Sequence, residues 1–316
     1  MGKNAKGKGL RTTLQRHQNA SKLRNIRKQK DKKTQKNQSV KKNQESQKNH
    51  HTPFIPFGPH ETLLLVGEGD FSFARSIIEQ NYVMPENLVV TSYDNSIEEL
   101  NSKYPHSFDE NYKFLASEGV PVFFGVDATD LVKSFKLSKK TTWTKILGES
   151  WNGKCLENIM FNFPHTGKGV RDQERNIRDH QNLVLGFFKS CKELFQIINS
   201  KWLKNRLQYG DTESSQLSEE GWGRIVLTLF AGEPYDSWRI KTLAKENKFQ
   251  LQRSNRFEWE IFPGYHHKRT NSEQDTTKPA EERDARIYLF EKLGTVQKPS
   301  KRSRDSDDDD DDDDDN

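Results

Sequence analysis

The chain has 316 residues, 31% hydrophobic and 31% charged, with a net charge of +5, which allows one large domain or two small ones. No run of 18 apolar residues is present, which excludes a transmembrane helix, and the lysine-rich start lacks the apolar stretch of a secretory signal. Two cysteines, Cys155 and Cys191, are too few for a disulfide framework and point to a reduced compartment.

Residues 1–50 hold 16 Lys/Arg against Asp31 and Glu45, net +14, with no Phe, Trp or Tyr. Such a stretch cannot bury a core and is expected to be disordered alone. Counterion release makes it a sequence-independent RNA binder, and the same basic clusters suit nuclear import factors. The expected organisation is a basic arm over 1–52, a stiff Pro-rich linker over 53–60 (Pro53, Pro56, Pro59), a folded domain over 61–294 and a disordered tail over 295–316. With arm and tail set aside, the body is slightly acidic.

The domain opens with Leu63–Val66 running into Gly67-Glu68-Gly69-Asp70, followed at once by an amphipathic segment. A short apolar run suits a parallel strand buried on both faces, and glycines let the backbone turn sharply beside a ligand. Asp70 or Ser72 is expected to cap the helix. Strand, glycine turn and helix form the nucleotide-binding opening of a doubly wound sheet, so Gly67, Glu68, Gly69, Asp70, Phe71 and Ser72 are assigned to a cofactor. Asn87–Asp94 reads as the second strand, with Asp94 placed 25 residues after Gly69 to accept hydrogen bonds from ribose hydroxyls; the bland alternative is a cap for the helix from Ser96. Pro121–Asp127 reads as the third strand, and Asp127 either meets an adenine amine or caps the helix from Leu131. Residues 138–154 read as a loop anchored by Trp143 and Trp151.

The fourth strand, Leu156–Phe161, leads into Asn162-Phe163-Pro164-His165-Thr166-Gly167-Lys168-Gly169. In a doubly wound sheet this loop opens beside the one after strand one. Asn162 can hydrogen-bond a base edge and Phe163 can stack on it; Pro164 is rigid and His165 is a candidate proton acceptor, with Asp70 or a water as rivals. A polar turn with a core Phe is the alternative. Arg171–Ser200 reads as a long helix with a broad apolar face, Trp222–Phe230 as strand five, then a helix ending near Asn247, Phe249–Ile261 as strand six and Ala285–Glu291 as strand seven. If strand six is parallel to the others, Tyr265, His266, His267, Lys268 and Arg269 surround the same mouth, and with Lys168 they form the expected RNA contacts. The adjacent histidines point apart and no third ligand is spaced to join them, so no metal site is expected. The tail closes with a basic cluster at 301–304 and nine consecutive Asp at 307–315.

The fold class is therefore α/β, a doubly wound, mostly parallel seven-stranded sheet. Ser72 stands where a dinucleotide-binding dehydrogenase wants a third glycine, and Asp94 and Asp127 suit the ribose and adenine of S-adenosylmethionine. A nicotinamide-dependent oxidoreductase and a catalytically silent RNA-binding assembly factor are the rival readings. GEGDFSFARS (67–76), TSYDNS (91–96), NFPHTGKGVRDQERNIRDHQ (162–181), GEPYDSW (232–238) and FPGYHHKRTNSEQDTTKPAEERDAR (262–286) together resemble the fungal family of large-subunit ribosomal RNA uridine-N3 methyltransferases. The resemblance spans roughly residues 10–292 and implies a Rossmann-like fold using S-adenosylmethionine, methylation of N3 of a uridine in 25S rRNA, a nucleolar location and work on pre-60S particles, with no membrane partner and a monomeric state. N3 lies in the base-pairing edge, so the base must be unpaired. A covalent cysteine adduct is not required at a ring nitrogen.

Overall fold

The computed structural model describes residues 53–138, 141–200, 202–204, 217–268, 270 and 283–294. The arm over 1–52, Arg269, the basic cluster at 301–304 and the Asp run lie outside the described residues. The chain divides after Phe54, and the unit from Ile55 onward is the one that carries the sheet.

Its elements are β1 (Leu63–Val66), α1 (Ser72–Glu79), β2 (Leu88–Thr91), α2 (Ile97–Lys103), α3 (Phe108–Ser117), β3 (Val122–Phe123), α4 (Leu131–Ser134), α5 (Trp143–Leu147), β4 (Asn158–Asn162), α6 (Gln173–Ile198), β5 (Arg224–Phe230), α7 (Ile240–Glu246), β6 (Phe249–Arg256) and β7 (Ala285–Lys292). The strands form one sheet in the order β3-β2-β1-β4-β5-β7-β6. β1, β2, β3, β4 and β5 pair in parallel, whereas β7 is antiparallel to both its neighbours. The sheet is therefore mixed. Because β7 opposes both β5 and β6, β6 runs in the same sense as the parallel strands, and its exit lies at their carboxyl ends.

The all-apolar β1 explains the architecture. Leu63 to Val66 are at most 1% exposed, so both sheet faces are covered. Leu64 and Val66 join Ile159, Phe161, Ile225 and Leu227 in a core closed by α4, α6 and α7. Leu63, Leu65, Val90 and Met160 are as deeply buried outside that cluster, as are Phe73 and Ile77 of α1 and Phe108 of α3. The order of strands reverses between β1 and β4, and the crevice at their carboxyl ends is the natural binding position of such a sheet.

Several boundaries differ from the expected ones. β3 has only two residues, because Gly125 at φ +67° turns the chain away before Asp127. Strand six stops at Arg256, and Trp259–Ile261 form a 3-10 turn, because the ladder with β7 ends there. Residues 138–154 contain α5 and a 3-10 turn, and Trp143 and Trp151 are buried as the expected anchors. Phe57 is buried, and the Pro59 and His60 carbonyls accept hydrogen bonds from Met84 and Asn87, so the end of the expected linker is built into this unit. Cys155 and Cys191 are free and buried.

Candidate active site

The exits of β1, β2 and β4 and the β6–β7 connection enclose a cleft of about 670 Å³. At the β1 exit, Glu68 N–H donates to Thr91 O (2.9 Å), which ties the turn to β2. Gly67 has φ +70°, and a Cβ there would stand 2.6 Å from Phe161 Cε2, so only glycine fits. The helix cap is not the expected one. Phe71 occupies the N-cap position of α1 at φ 63° without a side-chain bond, while Asp70 Oδ1 accepts from Ser72 N (3.1 Å) and Ser72 Oγ (2.7 Å). Asp70 Oδ2 is buried and has no partner. Burial, with the Asp70 charge adding to it, pushes the Glu68 carboxyl up to about 8; the Ala74 N–H and Asn162 pull partly the other way.

Two residues assigned to the cofactor stand away from the cleft. The Phe71 ring is fully buried against Phe108 (5.3 Å between centroids), Phe124 and Tyr112. Ser72 is buried and serves by holding Asp70. An aromatic in this position belongs to the α1–α3 packing, which local sequence does not reveal.

At the β2 exit, Asp94 borders the cleft and forms an ion pair with Lys103 at the end of α2. Burial raises the Asp94 carboxyl, with Lys103 opposing that shift and Glu99 reinforcing it. Ser96 caps α2 by accepting from Glu99 N–H, which leaves Asp94 free of the capping role. Asp127 is exposed at the cleft wall, and its Oδ1 accepts from Thr129 N (2.8 Å) and Oγ1 (2.7 Å); Asp130 caps α4. Tyr104, also bordering the cleft, has its hydroxyl pushed up by burial and by Asp94 and Asp70. Neither Lys103 nor Tyr104 sits in a motif, and no spacing rule points to them.

At the β4 exit, the Asn162 carboxamide is held by Thr228 Oγ1, which donates to Oδ1 at 2.8 Å, and Nδ2 is buried without a partner. Phe163, at φ 45°, is not a free stacking platform. Its ring packs 4.5 Å from Phe230, 4.7 Å from His267 and 5.5 Å from Trp259 in near-parallel stacking, and it is 7% exposed. Pro164 is buried and does not border the cleft. His165 Nδ1 accepts from Gly167 N–H at 2.9 Å, so the neutral ring carries its proton on Nε2 and has no lone pair left for another. Burial and the neighbouring His180 ring, 4.8 Å away, lower its pKa. His180 stacks on Trp238 at 4.5 Å and accepts from Thr166 N–H, a support for this loop that sequence reading missed.

Tyr265, His266 and Lys268 do border the cleft, opposite Glu68, as does Lys168, which lies 3.7 Å from Asp179. Tyr265 is half-buried between Phe73 (5.2 Å) and Trp259 (5.7 Å), so its ring is a wall rather than an open face. His266 N–H reaches Ser72 Oγ at 3.4 Å and ties this lip to the β1 turn. Among the described residues no group of three His, Cys, Asp or Glu is arranged to hold a metal ion.

Residues 64–269 match the family model BMT5-like, described as rRNA (uridine-N3-)-methyltransferase BTM5-like. The 25S rRNA (uridine(2634)-N(3))-methyltransferase of Saccharomyces cerevisiae is 56% identical over 264 residues, 80% of this chain and 78% of that protein. An uncharacterized Arabidopsis thaliana protein is 30% identical over 210 residues, 66% of this chain and 81% of its own. The structure of a putative methyltransferase from Thermoplasma acidophilum aligns with a TM-score of 0.36 at 11% identity, over 77% of this chain and 76% of that one, a likeness too slight to argue from.

Proposed function

Because this chain belongs to the BMT5-like family of rRNA (uridine-N3-)-methyltransferases, we propose that it transfers a methyl group from S-adenosylmethionine to N3 of a uridine in 25S rRNA, inside the cleft at the carboxyl ends of β1, β2 and β4. The observation that carries the reading is the pair of unsatisfied buried atoms there, the acceptor Asp70 Oδ2 and the donor Asn162 Nδ2. Buried polar groups in a folded protein are nearly always bonded, so a donor and an acceptor left without partners on two residues that border one cleft mark unmet hydrogen-bonding needs beside it.

The residues fit the cofactor. It is cationic at its sulfur and its amino group, and the Asp70 carboxyl borders the cleft with no cation paired to it among the described residues. Gly67 and Gly69 keep the turn free of Cβ atoms, Asp94 would hold the ribose hydroxyls and Asp127 the adenine amine. Lys103 pairs with the buried Asp94 and opposes the rise that burial imposes on its carboxyl. When bound, the cofactor supplies an electrophilic methyl group. The remaining work falls to the protein: orienting the uracil so that N3 lies in line, and excluding water. Asn162 stands at the β4 exit for the base edge, and Phe163 and Tyr265, backed by Trp259, shape the side on which the base enters. A paired uracil hides N3, so the base must be turned out of its stack.

The reading extends to the chain outside the cleft. Residues 61–294 form the methyltransferase domain, the basic arm over 1–52 contacts RNA on pre-60S particles, and the clusters there and at 301–304 engage nuclear import factors. The enzyme acts as a monomer in the nucleolus. The uneven charge of the sequence, net +14 over residues 1–50, supports this part.

Calorimetry with S-adenosylmethionine and with NAD tests the cofactor. Binding of the former alone is expected, weakened about tenfold to a hundredfold in Asp94→Ala by loss of a charge-assisted hydrogen bond. No uptake of S-adenosylmethionine by the wild type would end the enzyme reading. Mass spectrometry of 25S rRNA nucleosides from cells lacking the protein is expected to show a diminished 3-methyluridine peak, and an unchanged peak removes the assigned substrate.

A further inference from the structure

Two side chains on the floor of the cleft have complementary hydrogen-bonding needs. Glu68 is 7% exposed and borders the cleft. Asn162 comes from the end of the neighbouring strand, and Thr228 holds its Oδ1, so Nδ2 turns toward Glu68. The opposite amide orientation would set two acceptors against each other. Nδ2 lies buried, and its interaction with Glu68, which pulls that carboxyl down, is longer than an ordinary hydrogen bond.

We propose that Glu68 and Asn162 together read the imide edge of uracil, Glu68 accepting the N3 proton and Asn162 Nδ2 donating to the adjoining carbonyl oxygen. The inference rests on the function proposed above. An imide edge presents a donor, N3–H, beside a carbonyl acceptor, and the protein pair presents the complement. Cytosine offers a bare N3, which sets acceptor against acceptor at Glu68, and an amino group in place of one of the two flanking carbonyls. During transfer the N3–H bond breaks and its proton passes to a Glu68 carboxylate oxygen. The nitrogen lone pair forms the new N–CH3 bond, and the electron pair of the broken S–CH3 bond stays on sulfur.

Groups from every side of Glu68 suit it to the task. Burial, with Asp70 on its own loop adding to it, raises its pKa to about 8, nearer to that of an imide than an ordinary carboxyl, while the Ala74 N–H from α1 and Asn162 limit the rise. Tyr265 faces it from the β6–β7 connection with a hydroxyl that burial keeps protonated. His165 does not compete, since Nδ1 already holds Gly167 N–H. Asp70 is the rival, because its Oδ2 is open.

The test uses the full-length protein and a 25S rRNA fragment carrying either uridine or 5-fluorouridine at the target, where fluorine acidifies N3. Single-turnover rates are followed from pH 6 to 9.5 at saturating S-adenosylmethionine for wild type, Glu68→Gln and Asp70→Asn. The wild-type rate should rise with pH, pass its midpoint near 8 and level off above about 9. Glu68→Gln should lose that inflection and about a hundredfold in rate, the size of a lost general base, while binding S-adenosylmethionine within about threefold of wild type by calorimetry. The fluorinated substrate should restore about tenfold to Glu68→Gln and change wild type by less than about threefold. A Glu68→Gln rate near wild type, an equal gain from fluorine in both proteins, or a parallel loss of cofactor affinity would each overturn the assignment. So would finding the fluorine rescue in Asp70→Asn instead. If Glu68→Gln does not fold, Thr228→Val carries the test: discrimination of uridine from cytidine should fall about tenfold, and unchanged discrimination overturns the pair. A wild type that forms no 3-methyluridine would instead end the functional reading itself, a result visible before any variant is made.

Discussion

Asn162 owes its aim to Thr228, a side chain with no exposed surface on the adjacent strand, and Asp70 owes its aim to Ser72. In each case one oxygen of the group is tied to the scaffold, so the direction of the remaining atom is fixed at little entropic cost. Glu68 shows what such a site costs the fold. Its carboxyl is pushed from 4.5 to about 8, so between those values the folded state binds a proton that the unfolded state has released. Its contribution is therefore fully present below pH 4.5 and is lost as pH rises through about 8. Denaturant unfolding of Glu68→Gln should lack this loss and exceed wild-type stability at pH 8.5; a variant with the wild-type pH slope would assign the slope to another group. Lys103 has the opposite role, pulling down the Asp94 carboxyl that burial pushes up. Lys103→Met should weaken S-adenosylmethionine binding about tenfold at pH 7, and more as pH falls, measured by calorimetry from pH 6 to 8.

The β1 turn and the β4 exit are the elements on which the cleft depends. Gly67→Ala would place a methyl 2.6 Å from the Phe161 ring at φ +70°, and Gly223→Ala would place one 2.3 Å from Glu157 O, where β4 and β5 begin. The first meets a movable ring edge and should cost about 1–3 kcal/mol with loss of cofactor binding; the second meets backbone and should cost more, read from thermal unfolding. Phe163→Ala should cost about 3–5 kcal/mol, because the ring closes a cluster with Phe230, Trp259 and His267, whereas an exposed stacking platform would tolerate the change. These elements also mark the limit of what local pattern reveals. The strand-glycine-helix opening, Asp94 at a strand end and the placement of Asn162 beside it were legible, because strands announce themselves by apolar runs and their exits by glycine and polar residues. The occupation of Phe163 was not. Its neighbours lie about 70 to 100 residues away, and a Phe in a loop has the same local signature whether it meets protein or a base.

Across the whole chain, the charge is unevenly divided, with a net +14 over residues 1–50 and a slightly acidic body. Removal of residues 1–52 should leave S-adenosylmethionine binding unchanged, while RNA affinity falls and its dependence on salt becomes shallower. Equal salt slopes for the full and shortened proteins would take the arm out of RNA contact. The amino-acid sequence by itself determined the main strands and the side of the sheet on which the cleft opens, because these follow from periodicity and turn chemistry, and the family, because its motifs resemble those of known members. Only the tertiary structure decided that β7 enters between β5 and β6 in the opposite sense, that Lys103 completes Asp94, that Phe71, Ser72 and Pro164 stand behind the cleft, and that Thr228 aims Asn162. The physical reason is distance along the chain. Burial and hydrogen-bond direction are set by partners tens of residues away, and nothing in the local sequence records which partner a buried side chain meets.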